Sequence, residues 1–196
     1  MRWLMLYARS RQVPASAAAV VLTASTAWAL TGGEGEEPVD PRLPALILAA
    51  GVAAAAVGLG GQDTALDRTA AIRWAPRRAA HVLAIGGAVA AVLLAVHALG
   101  AELAPAAFVV RDSAGLAGLA AIGAAAFGAA YAWTLPVGWL AFTLFAPPPT
   151  GVAGQVSGWL LLPPGTAAAT WTALALTVTG TLLYAAAGPN GPGTGR

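Results

Sequence analysis

The side chains able to do chemistry gather in one stretch, Gly61 to His81, GQDTALDRTAAIRWAPRRAAH. It sets Asp63, Asp67, Arg68, Arg73, Arg77 and Arg78 between two long apolar runs. Charge in such a place either recognises a charged partner or marks the edge of a membrane span, and arginines beside a span favour the cytoplasmic side. Thr64 with Asp67 three residues on reads as a capping box that opens a short helix. Pro76 disfavours helical geometry at Ala75 and suits the first turn of a new helix. The pattern predicts a short cytoplasmic helix over Ala65 to Trp74. Leu66, Thr69, Ala70, Arg73 and Trp74 share one face of it, and Asp67, Arg68 and Ala71 another. Such a helix can lie along the membrane surface while Asp67 and Arg68 face a partner; the alternative is a passive connector.

Other chemistries are excluded by what is missing. The chain has no Cys, so disulfides, thiolate catalysis and Cys-ligated metals do not arise. All ten of its basic side chains are Arg. Without Lys there is no GxxxxGK[ST] phosphate loop and no Schiff base, so any ATP must be bound and hydrolysed by another polypeptide. His81 and His97 fall on one predicted helix about 24 Å apart, too far to share a metal, and read as interfacial histidines. The eight carboxylates all fall in predicted loops, with Glu102, Arg111 and Asp112 in a short outer one. An ion-coupled transporter usually keeps an ionisable group at mid-membrane, so this placement argues against one. No carboxylate pair, nucleophile triad or metal cluster can be assembled. The expectation is a chain that is not an enzyme and holds no cofactor or metal of its own.

These residues are carried by an apolar chain. At 58% hydrophobic and 9% charged, with a mean hydropathy of +0.73, it lies far from the roughly 25% charged share of a soluble domain. Its 196 residues suffice for about six spans of ~20 residues. The fold class expected is all-α, one polytopic membrane domain over residues 1–196. A basic, aromatic N-terminal segment over 1–12 lies in the headgroup region, a bundle fills 13–188, and 189–196 form a flexible tail. Spans are expected near Pro14–Leu30, Leu43–Gly60, Pro76–Leu99, Ser113–Tyr131, Leu135–Ala146 and Thr166–Ala187. Ser113 to Ala146 would measure about 50 Å as one helix and must turn back, with Pro136 between Trp133 and Trp139 as the expected place. The proline-bounded stretch Ala146–Gly165 reads as a re-entrant or interfacial hairpin, with Trp159 at the outer interface. The acidic loop TGGEGEEPVD lies outside and both termini lie in the cytoplasm. A rival reading takes Arg11, the apolar run after it and Ala27-Trp28-Ala29 as a secretory signal. The net charge of +2 sits at membrane edges, so lipid is the expected surface partner and nucleic acid is not.

Within the spans, Thr170, Thr177 and Thr181 recur on one face of the last helix. They are candidate path-lining residues, or hydroxyls that bond to carbonyls of their own helix. Gly115, Gly118, Gly123 and Gly128 permit close helix approach in the fourth span. Trp28, Trp133, Trp139, Trp159 and Trp171 read as interface anchors.

The segments MRWLMLYARSRQ, TALDRTAAIRW and GVAGQVSGWLLLPP occupy the places of a basic N-terminal interfacial helix, a coupling helix between the second and third spans, and a re-entrant element before the sixth. In that layout, and in the blocks RSRQVPA, LDRTA, RWAPRRAAHVLA and RDSAGLAGLA, the chain resembles permease subunits of ABC exporters of the ABC-2 type, in particular small actinobacterial membrane proteins of that kind. The resemblance covers nearly the whole chain. It implies a subunit of the bacterial plasma membrane that forms a substrate path, pairs as a homodimer or with a paralogous permease, and is driven by a separate ATPase. Thr64, Leu66, Asp67, Arg68, Arg73 and Trp74 would then dock that ATPase. The alternative is a non-transporting scaffold of a larger complex. The topology has a direct check: a reporter fused at Pro38 should report the outside and one at Gly193 the cytoplasm, and either reversed signal would refute it.

Overall fold

The computed structural model describes residues 21, 25, 29, 40–60, 74–100, 103–146 and 150–189, and among them the secondary structure is helical throughout, with no strand. Helix α1 spans Arg42–Ala56 and tightens into a 3-10 turn over Val57–Leu59. Helix α2 spans Trp74–Ala98 and α3 spans Ala106–Phe127. After a 3-10 turn at Ala129–Tyr131 comes α4, Thr134–Phe145. Helix α5, Gly151–Ser157, and a further 3-10 turn at Trp159–Leu161 precede α6, Ala167–Ala187. Four of these, α1 with its turn, α2, α3 and α6, are long and apolar enough to cross a membrane. Alanine is the best helix former, and in lipid each backbone N–H and C=O must find its partner within the segment, so Ala-rich runs of this length have one stable form. Four such helices mark the chain as a membrane protein.

Contacts at the helix ends give their directions. At one end of the bundle the Tyr184 hydroxyl, near the end of α6, donates to the carbonyl of Leu59. His81 Nε2, near the start of α2, lies 3.1 Å from the carbonyl of Gly58. The Arg78 guanidinium lies against Gly188, where a Cβ would meet its Cζ at 2.8 Å. A Cβ on Gly60 would touch that of Ala129, just past α3, at 3.5 Å. At the other end, Pro44 of α1, His97 of α2, Phe108 of α3 and Pro163 ahead of α6 border a common cavity. Helices α1, α3 and α6 therefore run one way and α2 the other.

Because α3 and α6 run in the same direction, residues 128–163 must carry the chain back along the bundle. They do so in pieces. Gly128 breaks α3 with φ 93°, a value that side-chain-bearing residues rarely adopt, and the 12-residue α4 follows. The chain then dips inward: the Trp139 indole, halfway along α4, donates to the carbonyl of Ser157 at 3.1 Å. Trp159 is fully buried against Gly115 of α3, and Leu162 and Pro163 return to the level of Arg111.

Helix α3 is the centre. Within their apolar windows 72% of α3 is buried against 22% of α6, so α6 leans on α3 with one face only. Lipid tails are as apolar as leucine, so helices in a membrane associate through close packing rather than water exclusion. Here Gly118 and Gly180 let the two backbones touch. A Cβ on Gly180 would fall within the carbonyl of Gly118, and one on Gly118 within the carbonyl of Leu176. Gly86 packs in the same manner against Ala117 and the carbonyl of Ser113, both 3.2 Å from a Cβ there.

Several expectations are corrected. The fourth helix begins at Ala106, not Ser113; Pro105 ends the preceding loop and takes the capping place. The reversal comes at Gly128, while Pro136 sits in the first turn of α4, where its missing N–H has no helical partner to lose. Trp159 is in the core and anchors no interface. Trp133 and Trp171, 45% and 69% exposed, keep outward positions. Trp74 is part of α2, and the rest of the predicted helix Ala65 to Trp74 lies outside the described residues. The N-terminal segment 1–12, most of the predicted first span, the linker 61–73 and the tail from 190 lie outside the described residues; Val21, Ser25 and Ala29 are helical.

Two glycines should respond oppositely to the same methyl group. Gly180→Ala should destabilise the fold by about 1–3 kcal/mol through overpacking. Gly87→Ala, where a Cβ meets nothing within 4 Å, should be neutral or gain up to ~1 kcal/mol of helix propensity. Thermal unfolding in mild detergent reads both.

Candidate functional site

Arg111 and Asp112 lie in the second turn of α3, about 8 Å from its start at 1.5 Å per residue. Adjacent residues on a helix do not face one another, so the pair forms only because the Arg111 side chain curls back. Its Nε donates to Asp112 Oδ1 at 2.6 Å. Its Nη2 donates to the carbonyl of Leu162 at 2.8 Å and its Nη1 to that of Pro163 at 3.1 Å. The guanidinium carbon sits 5.2 Å from the centre of the Phe108 ring, one helical turn back. Only 7% of the Arg111 side chain and none of Asp112 is exposed.

The carbonyls that Arg111 takes are available because the chain there is extended at Leu162 and continues with two prolines, which have no N–H to build a further turn. One cation thus ties the segment ahead of α6 to α3, 51 and 52 residues away in sequence. A charge buried alone is strongly unfavourable, and the pair is tolerated because ionic partner, carbonyls and ring together replace water. Asp112 Oδ2 has no hydrogen-bond partner among the described residues.

Beside this clamp is a cavity of about 490 Å³. Phe108, whose ring the guanidinium covers, borders it, as does Pro163, whose carbonyl Arg111 holds. Leu103, Leu161 and Pro41 make much of the remaining wall. His97 also lines it, and its Nδ1 is buried without a partner among the described residues. A smaller void of about 150 Å³ lies between α2 and α3, with Val82, Ser113 and Thr177 in its wall. Its hydroxyls are spent on their own helices: Ser113 donates to the carbonyl of Val110 at 3.1 Å and Thr177 to that of Ala173 at 2.7 Å.

Of the residues predicted from sequence, Thr64, Leu66, Asp67, Arg68 and Arg73 lie outside the described residues. Trp74 lies 5.7 Å from the Arg77 guanidinium, and its indole N–H is buried without a partner among the described residues. The hydroxyl of the exposed Thr170 donates to the carbonyl of Thr166 at 3.2 Å. Thr181 Oγ1 is buried and has no partner among the described residues. Of the three threonines Thr177 borders the smaller void. His81 is no free interfacial histidine but ties α2 to α1. Among the described residues no group of His, Asp or Glu could hold a metal.

The placement of Arg111 and Asp112 in an outer loop is overturned: both lie inside an apolar helix and are buried. Two signals in the sequence point to them. Pro105 is a helix opener, and Phe108 precedes Arg111 by three residues, the spacing that stacks a cation on a ring along one helix face.

Arg111→Met should cost about 3–5 kcal/mol, because it leaves Asp112 buried and without its ionic partner. Arg111→Met with Asp112→Asn should recover much of that loss. Unfolding of the purified protein in mixed micelles compares the single and double variants. No family model matches the chain, and neither does any of the characterised proteins or solved structures compared with it.

Proposed function

We propose that this chain is the permease subunit of an ABC-type exporter in the bacterial plasma membrane. In this reading it has six spans, with both termini in the cytoplasm. It pairs as a homodimer or with a paralogous permease, and a separate ATPase that binds the ATP drives it. The observation that carries the proposal is the course of the chain between α3 and α6. It returns along the bundle, dips inward and is pinned at Leu162 and Pro163 before the last long helix begins. That is the order of elements in the permeases the sequence resembles, and the six-span count accommodates the return as a short crossing.

The source of free energy follows from two features. The chain has no Lys, so no phosphate loop of its own. It does bury an acid, Asp112, so ion coupling is no longer excluded by placement alone. What argues against it is that the carboxylate is held by Arg111, whose own donors are fixed by two backbone carbonyls. A group that shuttles ions must exchange partners, and Arg111, which holds Oδ1 of this carboxylate, is itself fixed on two backbone carbonyls. Free energy then enters by contact with another protein, and Thr64 to Trp74 is the charged cytoplasmic stretch that offers one.

The scaffold reading is favoured by a different observation. The centre of the bundle is closed, with Gly118 and Gly180 in backbone contact and Trp159 filling the space beside Gly115. The void beside this contact, with Thr177 in its wall, is about 150 Å³, so in the transport reading the path runs between two subunits.

Affinity purification of the full chain from its native host in mild detergent separates the readings. An ATPase should accompany it, and Asp67→Ala with Arg68→Ala should weaken that association in a salt-sensitive manner while insertion stays intact. Equal recovery with the double variant refutes the docking assignment. Failure of any ATPase to accompany the unmutated protein leaves the scaffold.

A further inference from the structure

We draw no further inference here: the strongest candidate, the outward apolar face of α6 on which Trp171, Val178 and Leu182 are exposed, carries nothing, because nothing in the structure shows what covers it.

Discussion

Helices α3 and α6 touch backbone to backbone at Gly118 and Gly180, and most of the architecture follows from that contact. Two parallel helices this close cannot be joined by a short loop, since the chain leaves α3 at the wrong end of the bundle to start α6. The return must be made elsewhere, and residues 128–163 make it around the outside of α3, with α4 as the rising limb and α5 as the dip. Trp159 is buried for the same reason. Gly115 lies one turn before Gly118 on α3, and the space that its missing side chain leaves is filled by the indole.

The end of that return is where sequence and energetics meet. A proline pair stops the 3-10 turn at Leu161 from continuing and leaves the Leu162 carbonyl in need of a donor, while that of Pro163 already accepts from the Thr166 hydroxyl and N–H. Arg111 supplies it. Its charge then needs a partner, which Asp112 supplies from the next position. Each step removes the cost created by the one before, so the ion pair is the consequence of ending a backbone segment inside the bundle. Read this way, the clamp belongs to the architecture, and the hollow beside it is the space left where rigid proline-bounded segments meet four helix ends.

Much of the helical frame was legible in the sequence. The apolar run after Arg42 and the close approach at Gly115 and Gly118 appear where hydropathy and spacing put them, whereas Ala75, which Pro76 was expected to keep out of a helix, is helical. The site was not. Charge beside an apolar run reads as the edge of a span, and nothing local distinguishes an arginine in a loop from one whose donors are claimed by carbonyls 51 and 52 residues away. The reversal was misplaced for a related reason: a proline and a glycine both mark turns, but proline is harmless in the first turn of a helix. With 24 glycines in the chain, the one that adopts a positive φ after α3 carries no local flag. Trp159 was misread because tryptophan suits an interface on average, whereas here a glycine on the neighbouring helix creates room for it.

The two ends of the bundle are held by different means, and this decides which can change shape. At the Trp74 end, Tyr184 to Leu59 and His81 to Gly58 tie three helices through separate side chains, with Arg78 laid over the turn at Gly188. Losing any one leaves the others, so that end moves as a unit. At the cavity end the segment before α6 is tied to α3 by the donors of one guanidinium and by the buried Trp159. Exchange of those bonds would release Leu162 and Pro163 together, and the wall of the cavity with them, while the contact at Gly118 and Gly180 stayed in place.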